Sequence, residues 1–234
     1  MARNTCLPTS VLKRAAAATV PVLLGYLTIG LAFGLLLVRS GLPWWIAPLM
    51  SVIVYAGAAQ YMALGLLGAG AGLAEIALLT LVINARHMVY GLSLLDRFKA
   101  AGRAKPYLVY SLTDETYGIL TTVDAPEGST EAERNRFYLA VSALDQSYWV
   151  AGTLVGAIVG GLIRVDTRGL DFALTALFIV LLVEQMRSVR RAEPYLVAAA
   201  AAILAFIVVG PANLLVVAIL LAIGGILLLR GRLA

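Results

Sequence analysis

The sequence predicts an all-α, polytopic membrane protein with about eight transmembrane helices (seven to eight), one or more of them broken or re-entrant. Three observations carry that prediction. Of the 234 residues, 61% are hydrophobic before the 22 glycines are added, and 13% are charged. Soluble domains run about 45–50% apolar and about 25% charged. Mean hydropathy is +0.92. The apolar residues also fall into runs near the ~20 residues that a helix needs to cross hydrocarbon.

In chain order the candidate spans are 15–38, 45–68, 73–95, 107–123, 137–162, 171–187, 194–209 and 212–229. Residues 1–14 read as a cytoplasmic N-terminal segment, and 15–234 as a single transmembrane domain. The first run follows Arg3, Lys13 and Arg14 and is too long for a signal h-region, so it is expected to stay as an uncleaved span. The fourth is short and contains Thr113-Asp114-Glu115-Thr116, and the last two are joined only by Gly210 and Pro211. Seven spans or a re-entrant segment therefore stay open.

With eight spans and the N-terminus inside, ten of the eighteen Lys and Arg fall on the cytoplasmic side, seven fall opposite, and Arg86 lies within a span. That bias places both termini in the cytoplasm. The loop at 97–105 opposes it, because its four cations would face outward. The net charge of +5 follows from such loops, so no nucleic-acid partner is expected. The one cysteine, Cys6, closes no intrachain disulfide.

Glycines mark a helix interface. Gly30 and Gly34 form one small-xxx-small pair, and Gly152, Gly156 and Gly160 form a double one. That spacing strips a helix face and lets backbones approach closely.

Polar groups inside spans are costly, about 2.5–3.5 kcal/mol for a charge at a helix centre on insertion scales, so they carry the functional signal. In "YAGAAQYMALG", Tyr55 to Gly65, Gln60 follows four small residues. It could line a site or tie two helices together, and Gly57 with the alanines would permit local unwinding. In "NARH", Asn84 to His87, Arg86 lies near the centre of its span. It reads either as a binder of carboxylate or as a cation bridging helices. His87 is the one residue that titrates near neutral pH without help.

In "SLTDETYG", Ser111 to Gly118, the adjacent Asp114 and Glu115 project about 100° apart on a helix and cannot share one role. One could pair with Arg86 and the other carry a proton; a solvated interfacial loop is the alternative. Tyr107, Tyr110, Asp114 and Tyr117 would form one polar stripe on an unbroken helix. Gly118 and the flanking threonines would tolerate a break. In "LDQSYWVAG", Leu144 to Gly152, Asp145, Gln146, Tyr148 and Trp149 read as an interfacial belt or a pocket mouth. "VEQMRS", Val183 to Ser188, reads as a solvated span end.

These strings, with "LDFALTALFIVLLVEQ", occur in the order expected of the AzlC-type branched-chain amino acid exporters, which the chain resembles over nearly its whole length. The resemblance implies the large subunit of a two-component permease in the bacterial cytoplasmic membrane. It also implies export of valine, leucine, isoleucine and methionine, driven by the proton gradient, with a small AzlD-type membrane subunit as partner. No cofactor or metal is expected; surrounding lipid is, and higher oligomerisation stays open. An amino acid zwitterion needs a cation or helix N-termini for its carboxylate, an acceptor for its ammonium and an apolar wall. Candidate substrate-binding residues are therefore Tyr55, Gln60, Asn84, Arg86, Gln146 and Trp149, with Asp114, Glu115 and His87 for proton coupling or ion pairing. A channel is the alternative within transport. An intramembrane enzyme would need a nucleophile with a base or a metal cluster; one cysteine and one histidine give no His-rich metal site and no persuasive dyad, and a two-aspartate site stays open on counting alone.

Overall fold

The computed structural model describes residues 9–162, residues 179, 182, 183, 186 and 187, and residues 191–210 and 214–233. Regular structure among them is helical throughout. The α-helices are α1 (Thr9–Arg39), α2 (Ile46–Ile53), α3 (Gly57–Gly68), α4 (Leu73–Leu94), α5 (Lys105–Tyr110), α6 (Asp114–Thr122), α7 (Glu131–Leu162), α8 (Glu193–Val209) and α9 (Leu214–Leu233). A 3-10 segment, Lys99–Ala104, leads into α5. The chain divides into two compact units, Met1–Leu170 and Asp171–Ala234. Most of the expected span at 171–187 and half of "VEQMRS" lie outside the described residues.

Among the described residues, α1 and α4 are long and apolar enough to cross a bilayer unbroken. Two of the expected spans are divided instead. The run at 45–68 is interrupted between Val54 and Ala56, where Tyr55 adopts φ 42°. A left-handed conformation costs a non-glycine residue about 1–2 kcal/mol, so this joint is held by its surroundings. The interruption precedes Gly57, which is itself the first residue of α3. The run at 107–123 breaks at Ser111–Thr113. Thr113 is extended there and its hydroxyl accepts the Thr116 N–H, capping α6. Gly118, expected as a weak point, lies inside α6.

Helix α7 starts at Glu131, six residues before its apolar run. A capping box sets that start: Thr130 N donates to Glu133 Oε2 at 2.8 Å, and Glu133 N donates to Thr130 Oγ1 at 3.3 Å. The small-residue faces of α1 and α7, each expected at a packed interface, meet one another. A Cβ at Gly152 would lie 2.8 Å from Tyr26 O, and one at Gly160 3.0 Å from Leu35 Cα. At Gly34 and Gly156 it would overlap the backbone of Thr153 and Leu31 outright. Phe33 and Leu37 of α1 and Phe137, Val141 and Ala157 of α7 are fully buried in this unit.

In the second unit, α8 and α9 pack on one another, so that a Cβ at Gly225 would meet Val197 Cγ1 at 2.8 Å. Gly210, at φ 67°, ends α8.

Candidate functional site

Helix α7 is the element against which α1, α2, α5 and α6 all pack. Asp145 lies near the midpoint of Glu131–Leu162, not near an end as the apolar run suggested. The belt reading of "LDQSYWVAG" does not fit the burial of its side chains in protein: Trp149 is 3% exposed and Asp145 0%.

The first break is bound to α7 by Gln60. Trp149 Nε1 donates to Gln60 Oε1 at 2.8 Å, and Gln60 Nε2 donates to Ser51 Oγ at 3.2 Å. Ser51 Oγ lies 2.9 Å from Thr153 Oγ1. One amide thus joins both halves of the broken span to α7, and its atoms are engaged by protein. Gly57 leaves room for the Trp149 indole, which a Cβ would approach to 3.1 Å. Trp149 also meets Tyr26 edge-on at 5.3 Å between ring centroids. Among the described residues no acceptor takes the N–H groups of Gly57, Ala58 and Ala59, the first turn of α3.

The second break is bound to α1 and α7 by hydroxyls. Tyr26 Oη donates to Glu115 Oε2 at 2.7 Å and lies 2.6 Å from Thr113 Oγ1. Thr113 Oγ1 is 3.2 Å from Thr116 Oγ1, which donates to Asp145 Oδ2 at 2.8 Å. Asp145 Oδ1, Tyr55 Oη and Ser142 Oγ are buried without a hydrogen-bond partner among the described residues. Buried polar atoms are seldom left so.

Asp114 turns the other way, toward α4. Its Oδ2 pairs with Arg86 Nη1 at 2.7 Å and its Oδ1 accepts from Tyr90 Oη at 2.7 Å. The Tyr90 ring stacks on Tyr117 at 4.4 Å, Ser93 Oγ donates to Tyr117 Oη, and His87 lies 5.9 Å from Tyr90. Asn84 Oδ1 is buried without a partner among the described residues. The expected stripe along 107–117 does not exist, because the break rotates its two halves apart. Tyr107 Oη donates to Gln146 Oε1 at 2.9 Å, and Tyr110 Oη to the Val52 carbonyl.

The expected residues therefore form two groups that meet at the start of α6. Tyr55, Gln60, Glu115, Gln146 and Trp149 border the centre of α7; Arg86, His87 and Asp114 form a seam between α4 and α6, and Asn84 lies on α4. Sequence reasoning left out Tyr26, Thr113, Thr116 and Ser142, and did not carry Asp145 into the site. The capping box at 130–133 could have placed Asp145 at mid-helix; nothing local marks Tyr26. A separate cavity of about 520 Å³, lined by Asp96, Arg97, Asp124, Arg134 and Tyr138, includes none of these residues. Among the described residues no three His, Cys, Asp or Glu gather to hold a metal ion.

The model of a family described as "AzlC protein" matches residues 21–163. An "Uncharacterized membrane protein" of Helicobacter pylori strain 26695 is 38% identical over 221 residues, 94% of this chain and 96% of that protein. The "Branched-chain amino acid transport protein AzlC" of Bacillus subtilis is 32% identical over 212 residues, 91% of this chain and 82% of its own length. The "Inner membrane protein YgaZ" of Escherichia coli is 32% identical over 166 residues, 68% of this chain and 67% of its own. No solved structure matches. Relatives along nearly the whole chain and a family model across the site agree: the chain is a membrane protein of the AzlC family.

Proposed function

We propose that this protein is the transporting subunit of a proton-driven exporter of branched-chain amino acids. Valine, leucine, isoleucine and methionine are its substrates, and a small AzlD-type membrane subunit is its partner. In this reading it lies in the cytoplasmic membrane of a bacterium as one domain of eight spans with its N-terminus inside. The broken runs 46–68 and 105–122 count as one span each, and 171–187 supplies the sixth.

The observation that carries the reading is the pair of helix breaks beside the polar centre of α7. Non-helical backbone at membrane depth persists only where protein buries it or where it lines a cavity, and broken helices commonly form substrate sites. Arg86 is engaged by Asp114. The substrate carboxylate is therefore assigned to the uncapped first turn of α3, and the ammonium to the acids beside α6. Trp149 with Tyr55 forms the apolar wall, Gln60 holds that wall to the break, and Gln146 positions Tyr107. Asp114 and Arg86 hold α4 to α6, with Asn84 and His87 beside them and Glu115 facing the proton path.

Vesicles containing both subunits test this. Labelled valine should leave loaded vesicles against its gradient only while a proton gradient is imposed. Gradient-independent leakage would make the protein a channel, and absence of valine movement with both subunits present would overturn the reading.

A further inference from the structure

Asp145 is fully buried, yet no lysine or arginine pairs with it among the described residues. The charged or titratable groups that reach it are Glu115 of α6, Tyr55 of the first break and Tyr107 of α5. From α1, Tyr26 approaches through its bond to Glu115, and on α7 itself Gln146 and Ser142 are neutral. A carboxylate without a cation in such a place has to be neutralised, by a proton or by a cationic ligand. One of its oxygens, Oδ1, is free to take either, with the unpartnered Tyr55 Oη and Ser142 Oγ nearby in the same buried set.

Its other oxygen is the end of a continuous chain. From the exposed Glu115, hydrogen-bond distances of 2.7, 2.6, 3.2 and 2.8 Å run through Tyr26, Thr113 and Thr116 to Asp145 Oδ2. Each link between the two acids is a hydroxyl, which can accept one proton while donating another.

We propose that Asp145 is the proton-exchange carboxylate of this protein, loaded from Glu115 through Tyr26, Thr113 and Thr116, and that a substrate ammonium displaces its proton. The displacement deepens the transport reading and rests on it; the relay does not. The step balances. Protonated Glu115 gives its proton to Tyr26 Oη, whose own proton passes to Thr113 Oγ1, that of Thr113 to Thr116 Oγ1, and that of Thr116 to Asp145. Four O–H bonds break and four form; Glu115 ends ionised and Asp145 neutral. When the ammonium binds, Asp145 returns one proton by the reverse path. One proton is thus exchanged at Asp145 for each ammonium bound.

The test uses the complex with its small subunit, purified without substrate. Infrared difference spectra between acid and alkaline samples should contain a protonated-carboxyl band that Asp145→Asn removes. After a pH jump, Tyr26→Phe, which keeps the ring against Trp149, should slow the appearance of that band by about a hundredfold. An unchanged band in Asp145→Asn, or an unchanged rate in Tyr26→Phe, overturns the relay. If Asp145→Asn does not assemble, Asp145→Glu serves in its place and should move the band while keeping its pH response; an unmoved band overturns the assignment. In a second arm, valine added at fixed pH should release about one proton per valine bound in wild type. A wild-type band that Asp145→Asn removes, with no proton released by any branched-chain amino acid, keeps the relay and overturns the export reading.

Discussion

The two helix breaks look alike in outline and differ in electrostatics. Helix α6 starts with its own compensation: the Thr113 cap, then Asp114 and Glu115 in the first turn. Helix α3 starts with none; Ala56 offers no side-chain cap, and the first-turn N–H groups find no acceptor among the described residues. Free N–H groups and an uncompensated helix dipole attract negative charge, whereas acids over a capped turn attract positive charge or protons. A zwitterion has one group for each. The difference between two similar joints supplies, in the proposed reading, the two ends of the ligand.

The largest effect on this comparison is expected at Arg86. Arg86→Ala leaves Asp114 without its cation and should reduce valine efflux to background while the protein still inserts; efflux at the wild-type rate would refute the role. Next comes the uncapped end. Ala58→Pro deletes one free N–H where proline is tolerated and should raise the apparent KM for valine about tenfold, with the melting temperature little changed. An unchanged KM would remove α3 from the site.

Gln60→Ala should act on the joint and not on the ligand. The variant loses the bridge from Ser51 to Trp149 and should cost about 1–3 kcal/mol in thermal stability, leaving KM close to wild type. A KM that rises without loss of stability would put the amide on the substrate. The smallest effect belongs to a cap outside both breaks, where Thr130→Ala at the start of α7 serves as a control. It should fray that first turn, seen as faster amide exchange at 131–133, with efflux unaltered.

Much of the frame was legible. The runs at 73–95 and 194–209 lie within one residue of α4 and α8, and the run at 15–38 lies inside α1, because length and hydropathy decide such helices. The glycine spacing predicted a closely packed interface, and α1 and α7 supply it to one another; which helices would meet was not legible. Arg86 was expected to need a carboxylate, and Asp114 is its partner. The break before Gly57 was not placed, because a tyrosine with positive φ has no local sequence signature; tertiary contacts hold it. Asp145 was left open between belt and pocket mouth, because the Thr116 hydroxyl that binds it and the protein that buries it come from other elements. The Tyr26 link spans 89 positions to Glu115, beyond what any local pattern encodes.

The glycine contact has a mechanical consequence. Where Gly34 meets Thr153 and Gly156 meets Leu31, the two backbones touch with no side chains between them to repack. Neither sliding nor rolling is open to such a pair without collision, so α1 and α7 behave as one stiff spine. Within this unit, the non-helical joints at 54–56 and 111–113 are then the places left for bending, with the short half-helices as levers and the spine as fulcrum.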